Sequence, residues 1–270
     1  MVRPLDQNPV FCSPIDATIE DPGETAAVGV DRVQSMPIQS IEPRRLYRQI
    51  ADQIRTLIRS KEFPAGSRLP PERDLARQLG VSRPSVREAL IALEVAGLVE
   101  VRIGSGIYVL GPRADGEQAA EVTAGPGPFE LLRARWIIEG ECAALAARAA
   151  RKPQLAAMSE ALEQMRRLKD VERRSPLSAD RLFHLRVAEA TGNGALVAVV
   201  KMLWEERMGP LFTRLEHHYD TPKAWDNALA EHRIVFDAIG RRDAEEARAA
   251  MQRHLDRAYK RFSRSWDTQH

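Results

Sequence analysis

The chain has 270 residues and a formal net charge of +2, with 29% charged and 44% apolar residues. That is a globular composition, which excludes wholesale disorder and suggests two compact domains rather than one. Only 6% of residues are aromatic, and Ala, Leu, Arg and Glu crowd the C-terminal half, which favours helix over sheet. The longest apolar run, Ala195 to Val200, stops at Lys201, far short of the roughly 20 residues that cross a bilayer, so no membrane span is expected. The first residues hold no continuous apolar stretch of the kind a secretion signal needs, and a cytoplasmic address is expected. Cys12 and Cys142 make no disulfide framework and read as two reduced thiols.

The small net charge conceals a partition. Residues 1–40 carry 2 basic and 6 acidic side chains, whereas residues 41–112 carry 12 and 8. The first segment, with five prolines and no sustained apolar period, reads as a flexible acidic tail. From Leu46 the apolar residues Ile50, Ile54, Leu57 and Ile58 predict a first helix that ends near Phe63-Pro64-Ala65-Gly66. Pro71 to Leu79 predicts a short second helix closed by Gly80. A third starts at the N-cap Ser82 and runs through Val86, Leu90 and Leu93 to Gly97. Leu98 to Arg102 and Ile107 to Leu110 predict a hairpin around Ile103-Gly104-Ser105-Gly106.

Helix, helix, short turn, helix and hairpin is the order of a winged helix-turn-helix, whose third helix enters the major groove while the hairpin tip lies alongside. Arg83 and Arg87 share one face of the third helix, opposite the Val86, Leu90 and Leu93 stripe, so that face is expected to be basic and open. Ser82 and Ser85 place hydroxyls at a helix N-terminus that favours phosphate oxygens, and Gly104 and Gly106 keep the tip thin. An arginine pair alone also fits a solvated helix on any small domain.

Residues 111–128 are rich in Gly, Pro and Ala and read as a linker. Beyond them, helical patterns fill 129–151, 153–172, 177–191, 194–218 with a break at Gly209-Pro210, 223–239 and 243–264. The fold class expected is therefore mainly α: an N-terminal winged helix-turn-helix at 41–110 and a C-terminal all-helical bundle at 129–264.

In the bundle, Asp180 and His184 stand four residues apart on one helix face. His232 and His254 flank the turn at Gly240 to Asp243, and two antiparallel helices would bring them to similar heights. Asp243 followed by Glu246 forms a capping-box-like start that supports this register. One carboxylate and three imidazoles suit Zn²⁺, Ni²⁺ or Mn²⁺. A helical histidine taken singly is more often a satisfied polar residue, and His217 and His218, being adjacent, are read as surface.

The string from Arg68 to Leu90, with Arg73, Arg83 and Arg87 in place, closely resembles the helix-turn-helix signature of GntR-family bacterial regulators. Leu93-Glu94, Gly97-Leu98-Val99 and the Arg102, Gly104, Gly106, Val109 spacing extend that resemblance through the wing. It implies that Arg73, Arg83 and Arg87, with Ser82, Ser85 and the tip Gly104, Ser105 and Gly106, meet operator DNA, and that a homodimer binds a short pseudo-palindrome. Residues 129–262 resemble the FCD effector domain of the FadR subgroup, through Glu130, Arg135, Glu139, Asp180, Phe183-His184, Gly192-Asn193, Glu231-His232 and His254-Leu255. That likeness implies a divalent metal held by Asp180, His184, His232 and His254, with a carboxylate effector completing its shell. Arg135 is the candidate counter-charge for an acidic effector, or equally a helix partner of Glu139. Asn193 lines the pocket, or simply belongs to the turn at Gly192-Asn193-Gly194.

The segments around Leu203-Trp204-Glu205 and Lys223-Ala224-Trp225 are similar in placement to hexuronate-type regulators, which implies a sugar acid as effector. The function expected is a ligand-responsive repressor. The alternatives are a metal-sensing regulator and a metal-dependent hydrolase, the latter disfavoured because no HExxH string or nucleophile constellation is present. The aminotransferase-fused branch of the family is excluded, since only about 140 residues follow the linker.

Overall fold

The computed structural model describes residues 45–111, 125–170, 175–264 and 266. The expected acidic tail, Cys12 and most of the expected linker lie outside them. The described residues form ten helices and one two-stranded antiparallel sheet.

The first part comprises α1 (Leu46–Arg59), α2 (Glu72–Leu79), α3 (Arg83–Val95), β1 (Val99–Arg102) and β2 (Gly106–Val109). Acidic Glu72 and Asp74 occupy the first turn of α2, where they complement the helix dipole, and Gly80 closes it with φ 65°. Ser82 caps α3, its hydroxyl accepting from Ser85 N at 3.3 Å. In the hairpin, Val99 pairs with Val109 and Val101 with Ile107, so alternation buries these four against the core that Leu90 and Leu93 help form. Gly104 and Gly106 have φ of 77° and 124°, backbone that side chains rarely adopt.

The second part comprises α4 (Pro128–Ala149), α5 (Lys152–Asp170), α6 (Leu177–Glu189), α7 (Gly194–Arg207), α8 (Pro210–His217), α9 (Pro222–Gly240) and α10 (Ala244–Phe262). Helices α4 and α10 are the most extensively packed pair. Both helices bury small side chains, Ala143, Ala144, Ala146 and Ala147 on α4 and Ala247, Ala250 and Ala258 on α10, which favours close helix packing. Asp243 caps α10, accepting from Glu246 N at 3.0 Å, as its sequence pattern predicts. Cys142 is a buried free thiol, and burial pushes its pKa up to about 12.

The basic face of α3 is not open. Every residue from Val86 to Glu94 is buried, because the side of α3 turned away from its own core packs on α8 and the end of α10. Glu94 accepts from Val101 N at 3.1 Å on one side and meets His218 Nε2 at 2.7 Å and Arg214 on the other. His218 is therefore a half-buried link and not the surface residue its neighbour suggested. No periodicity within α3 carries this information, since the second covering surface comes from residues more than a hundred positions away.

Glu88 makes a further link, its Oε1 accepting from Phe129 N at 2.8 Å in the first turn of α4. A Cβ at Gly127 would lie 2.4 Å from that oxygen, so this approach requires glycine. Burial raises the Glu88 carboxyl from 4.5 to about 7, against the hydrogen bonds from Phe129 and Glu130 that lower it. The folded chain thus holds a proton between about 4.5 and 7 that the unfolded chain has released. The associated stability is complete below that window and is lost as pH rises through it. Glu88→Gln should flatten the decline. In melts near pH 5 and pH 7.5, the wild type should lose about 2 kcal/mol more than the variant; parallel curves would contradict this.

Candidate metal centre and nucleic-acid interface

Asp180 and His184 project from one face of α6, while His232 on α9 and His254 on α10 face them across the helical hairpin. The Nε2 atoms of His184 and His232 are 3.1 Å apart, and those of His232 and His254 are 3.2 Å apart. Asp180 Oδ1 lies 3.3 Å from His232 Nε2 and 3.6 Å from His184 Nε2. All four donor atoms lie within 4.8 Å of one another, and all four residues are buried. Donors on a tetrahedral Zn²⁺ at about 2.0–2.1 Å would stand roughly 3.3 Å apart, which this spacing approaches. Asp180 Oδ1 makes no hydrogen bond to a described residue, although a buried carboxylate oxygen is costly to leave unmet. The donor set and its orphaned oxygen fit a divalent cation.

Two of the three outer nitrogens face carboxylates, while His232 Nδ1 makes no hydrogen bond to a described residue. His254 Nδ1 stands 2.8 Å from Glu231 Oε2, and the Glu139 carboxylate faces His184 Nδ1. Such contacts set the tautomer and turn Nε2 inward. Burial drives the His254 imidazole down to about 3 and His232 well below its ordinary range, so both are neutral, as metal ligands must be. Burial would raise the Asp180 carboxyl, but the nearby His184 and His232 imidazoles and Arg207 overcome it and hold the carboxyl well below the usual range. Burial opposes ionisation of Glu139 too, yet Arg135 and His184 bring it down to about 2.

Beside the cluster lies a small chamber of about 30 Å³, lined by Asp180, His254 and the guanidinium-bearing Arg135, Arg207 and Arg261. Arg135 is buried, donates through Nε to Glu139 Oε1 at 2.6 Å and lies 4.2 Å from the centre of the Trp204 ring. Both readings of Arg135 thus describe its position: helix partner of Glu139 and chamber wall. Arg207 is paired with Glu216, whereas Arg261 makes no ion pair with a described residue. Asn193 is placed elsewhere. It is the exposed N-cap of α7, accepting from Ala195 N and Leu196 N, and does not line the chamber. Arg207, Arg261, Glu139 and Glu231 have roles here that sequence reasoning missed or left general. The i, i+4 spacing of Arg135 and Glu139 was the one available signal.

On the first part, Arg73 is exposed, its side chain at 75%, and Arg83 is 43% exposed while donating to Glu72 Oε1 at 3.1 Å. Ser82 and Ser85 are hydrogen-bonded to each other at the exposed start of α3. Arg87 differs. It is 1% exposed, donates through Nε to Glu72 Oε2 at 2.9 Å, donates to the Phe262 carbonyl, and stacks 4.7 Å from the Trp266 ring centre. At the hairpin tip, Gly104 N donates to the Trp266 carbonyl at 2.9 Å and the Ser105 hydroxyl bonds Tyr108.

Two family signatures match this chain: "Bacterial regulatory proteins, gntR family" over residues 46–109 and "FCD domain" over residues 130–257. The Uxu operon transcriptional regulator of Escherichia coli K12 is 40% identical over 224 residues, covering 81% of this chain and 87% of its own. The chain belongs to the GntR family. The Exu regulon transcriptional regulator of the same organism is also 40% identical, across 80% of this chain and 83% of the relative. The HTH-type transcriptional repressor NanR of Klebsiella aerogenes is 31% identical across 94% and 95%. This GntR-family chain is accordingly a DNA-binding transcriptional regulator with an FCD domain, not an enzyme. Among its described residues no helix is long and apolar enough to cross a membrane.

Proposed function

We propose that this regulator is a cytoplasmic, homodimeric repressor, released from its operator when a small carboxylate or sugar acid enters the metal chamber. Its parts would be the tail at 1–40, the winged module at 41–110, the linker at 111–128 and the effector bundle at 129–264. Asp180, His184, His232 and His254 would hold Zn²⁺, Ni²⁺ or Mn²⁺. When bound, the cation supplies a Lewis-acidic docking point for a carboxylate. Arg135, our sequence candidate, and Arg261 would oppose the effector's charge, a guanidinium offering carboxylate a planar fork. Arg73, Arg83, Arg87, Ser82, Ser85 and the tip Gly104 to Gly106 would meet DNA.

The observation that carries this reading is the convergence of four buried donor atoms beside three arginines, in a bundle that packs directly on α3. Exposed Ile137 and Leu145 on α4 and Met202 on α7 offer an apolar face for the second subunit. The names of the relatives, the Uxu and Exu regulators and a repressor, favour a sugar-acid repressor. A ligand shifts operator affinity only through a difference in its affinity for the two arrangements of the bundle and α3.

The test is a thermal-shift titration with D-glucuronate and other small carboxylates, with and without chelator, followed by gel shifts on operator DNA. A rise in melting temperature that chelation removes, together with weakened operator binding, is the expected result. Chelation that alters operator affinity with no organic acid having any effect would instead favour metal sensing.

A further inference from the structure

A second cavity lies on the outer side of the α9 and α10 pair, with a volume of about 610 Å³. That is within the range of about 300–1,000 Å³ typical of small-molecule sites. Ile103 of the hairpin tip, Tyr219 and Trp266 supply an apolar wall. The rest is strongly cationic, with Lys223, Arg257, Lys260, Arg261 and Arg264. Glu231 is the lone carboxylate in the lining, and it is already engaged by His254 and by Arg257 at 3.2 Å.

Lys223, Lys260, Arg261 and Arg264 make no ion pair with any described residue. Burial lowers the pKa of Arg261, so part of this charge is held away from water without a direct partner. The N-terminus of α9, capped by Thr221, opens on the same space and adds its dipole to the field. Like charges gathered around a concave wall focus a positive potential that an anion relieves. Arg261 is the residue shared with the metal chamber; Asp180, His184, His232 and His254 do not line this cavity.

We propose that this cavity is a second ligand site, separate from the metal chamber, for a compact multivalent anion such as a phosphate ester or polycarboxylate. Its occupant would rest on Trp266, whose ring carries Arg87 and whose carbonyl holds Gly104. The site therefore adjoins the residues assigned to DNA without depending on the sugar-acid reading.

Calorimetric titration of the full-length, metal-loaded protein with tricarballylate and, separately, with inorganic phosphate tests it. Binding of at least one probe is expected, tricarballylate pointing to a polycarboxylate and phosphate to a phosphate ester. Lys260→Glu with Arg264→Glu, both at exposed positions, should weaken binding by about tenfold or more. Chelation should leave binding in place. Absence of binding by either probe, equal binding by the double variant, or loss on chelation would each overturn the proposal. Equal anion binding with weakened operator affinity would assign the charge to the DNA backbone instead.

Discussion

His232→Ala is expected to abolish stoichiometric divalent-metal binding and, with it, any metal-dependent rise in melting temperature. His232 is the hub of the cluster: its Nε2 lies 3.1 Å from His184, 3.2 Å from His254 and 3.3 Å from Asp180. It is fully buried, so no exposed side chain can take its place. A metal present at about 1,000 times its Kd stabilises the folded chain by about 4 kcal/mol, and the variant should show none of that increment. The loss must be read as the difference between loaded and chelated protein, because the smaller side chain also leaves a void beside Phe183. Glu139→Gln, which alters the His184 contact and not a donor atom, should weaken metal binding only by roughly 10- to 100-fold. Metal content per chain and chelator competition measure both. One metal per chain retained by His232→Ala, or a wild-type melting temperature indifferent to chelator, would remove the metal from this site.

Arg87→Ala should fail in two separable ways. First, it strips the buried Glu72 carboxylate, 2% exposed, of its closest cation. Breaking a buried pair by removing one partner costs about 3–5 kcal/mol, and with Arg83 still paired to Glu72 the loss should lie at the low end, about 3 kcal/mol, lowering the melting temperature by several degrees. Second, it removes a guanidinium assigned to the operator, worth about 1–3 kcal/mol, or roughly tenfold or more in affinity. The paired variant Glu72→Gln, Arg87→Gln separates the two. Without a lone buried charge it should recover much of the stability while operator affinity, followed by gel shift, stays low. Recovery of operator affinity along with stability would make Arg87 a purely structural residue.

The helices and wing were legible because local chemistry determines them. Ser82, Gly80, Asp243 and the alternation of Val99, Val101, Ile107 and Val109 each act within a few residues of the structure they set. The metal cluster was legible in two halves, the i, i+4 pair on α6 and the two histidines flanking the α9–α10 turn, and it was the family resemblance that joined them into one set. Less accessible was anything that depends on one helix covering another. Arg87 reads as part of an open basic face until α8 and the end of α10 lie over it, and nothing in the sequence marks Glu94 as buried beneath the same cover. His218 beside His217 has no pattern of its own, and its partner is Glu94, 124 residues away. Arg261 sits on the polar stripe of α10, and only the closure of the bundle turns it towards the chamber. Asn193 had two local readings, and its side chain serves as an N-cap.

Arg87 is engaged by Glu72 and Phe262, and Gly104 by Trp266, so operator recognition through these residues, as proposed, would be an exchange reaction. Each contact that Arg87 or Gly104 would make with DNA, as proposed above, would displace one already made within the chain. Measured affinity is then a difference between two sets of hydrogen bonds. An internal partner that is the same for every sequence would lower affinity for all of them, and so would set the contact strength a site must exceed before Arg87 leaves the end of α10.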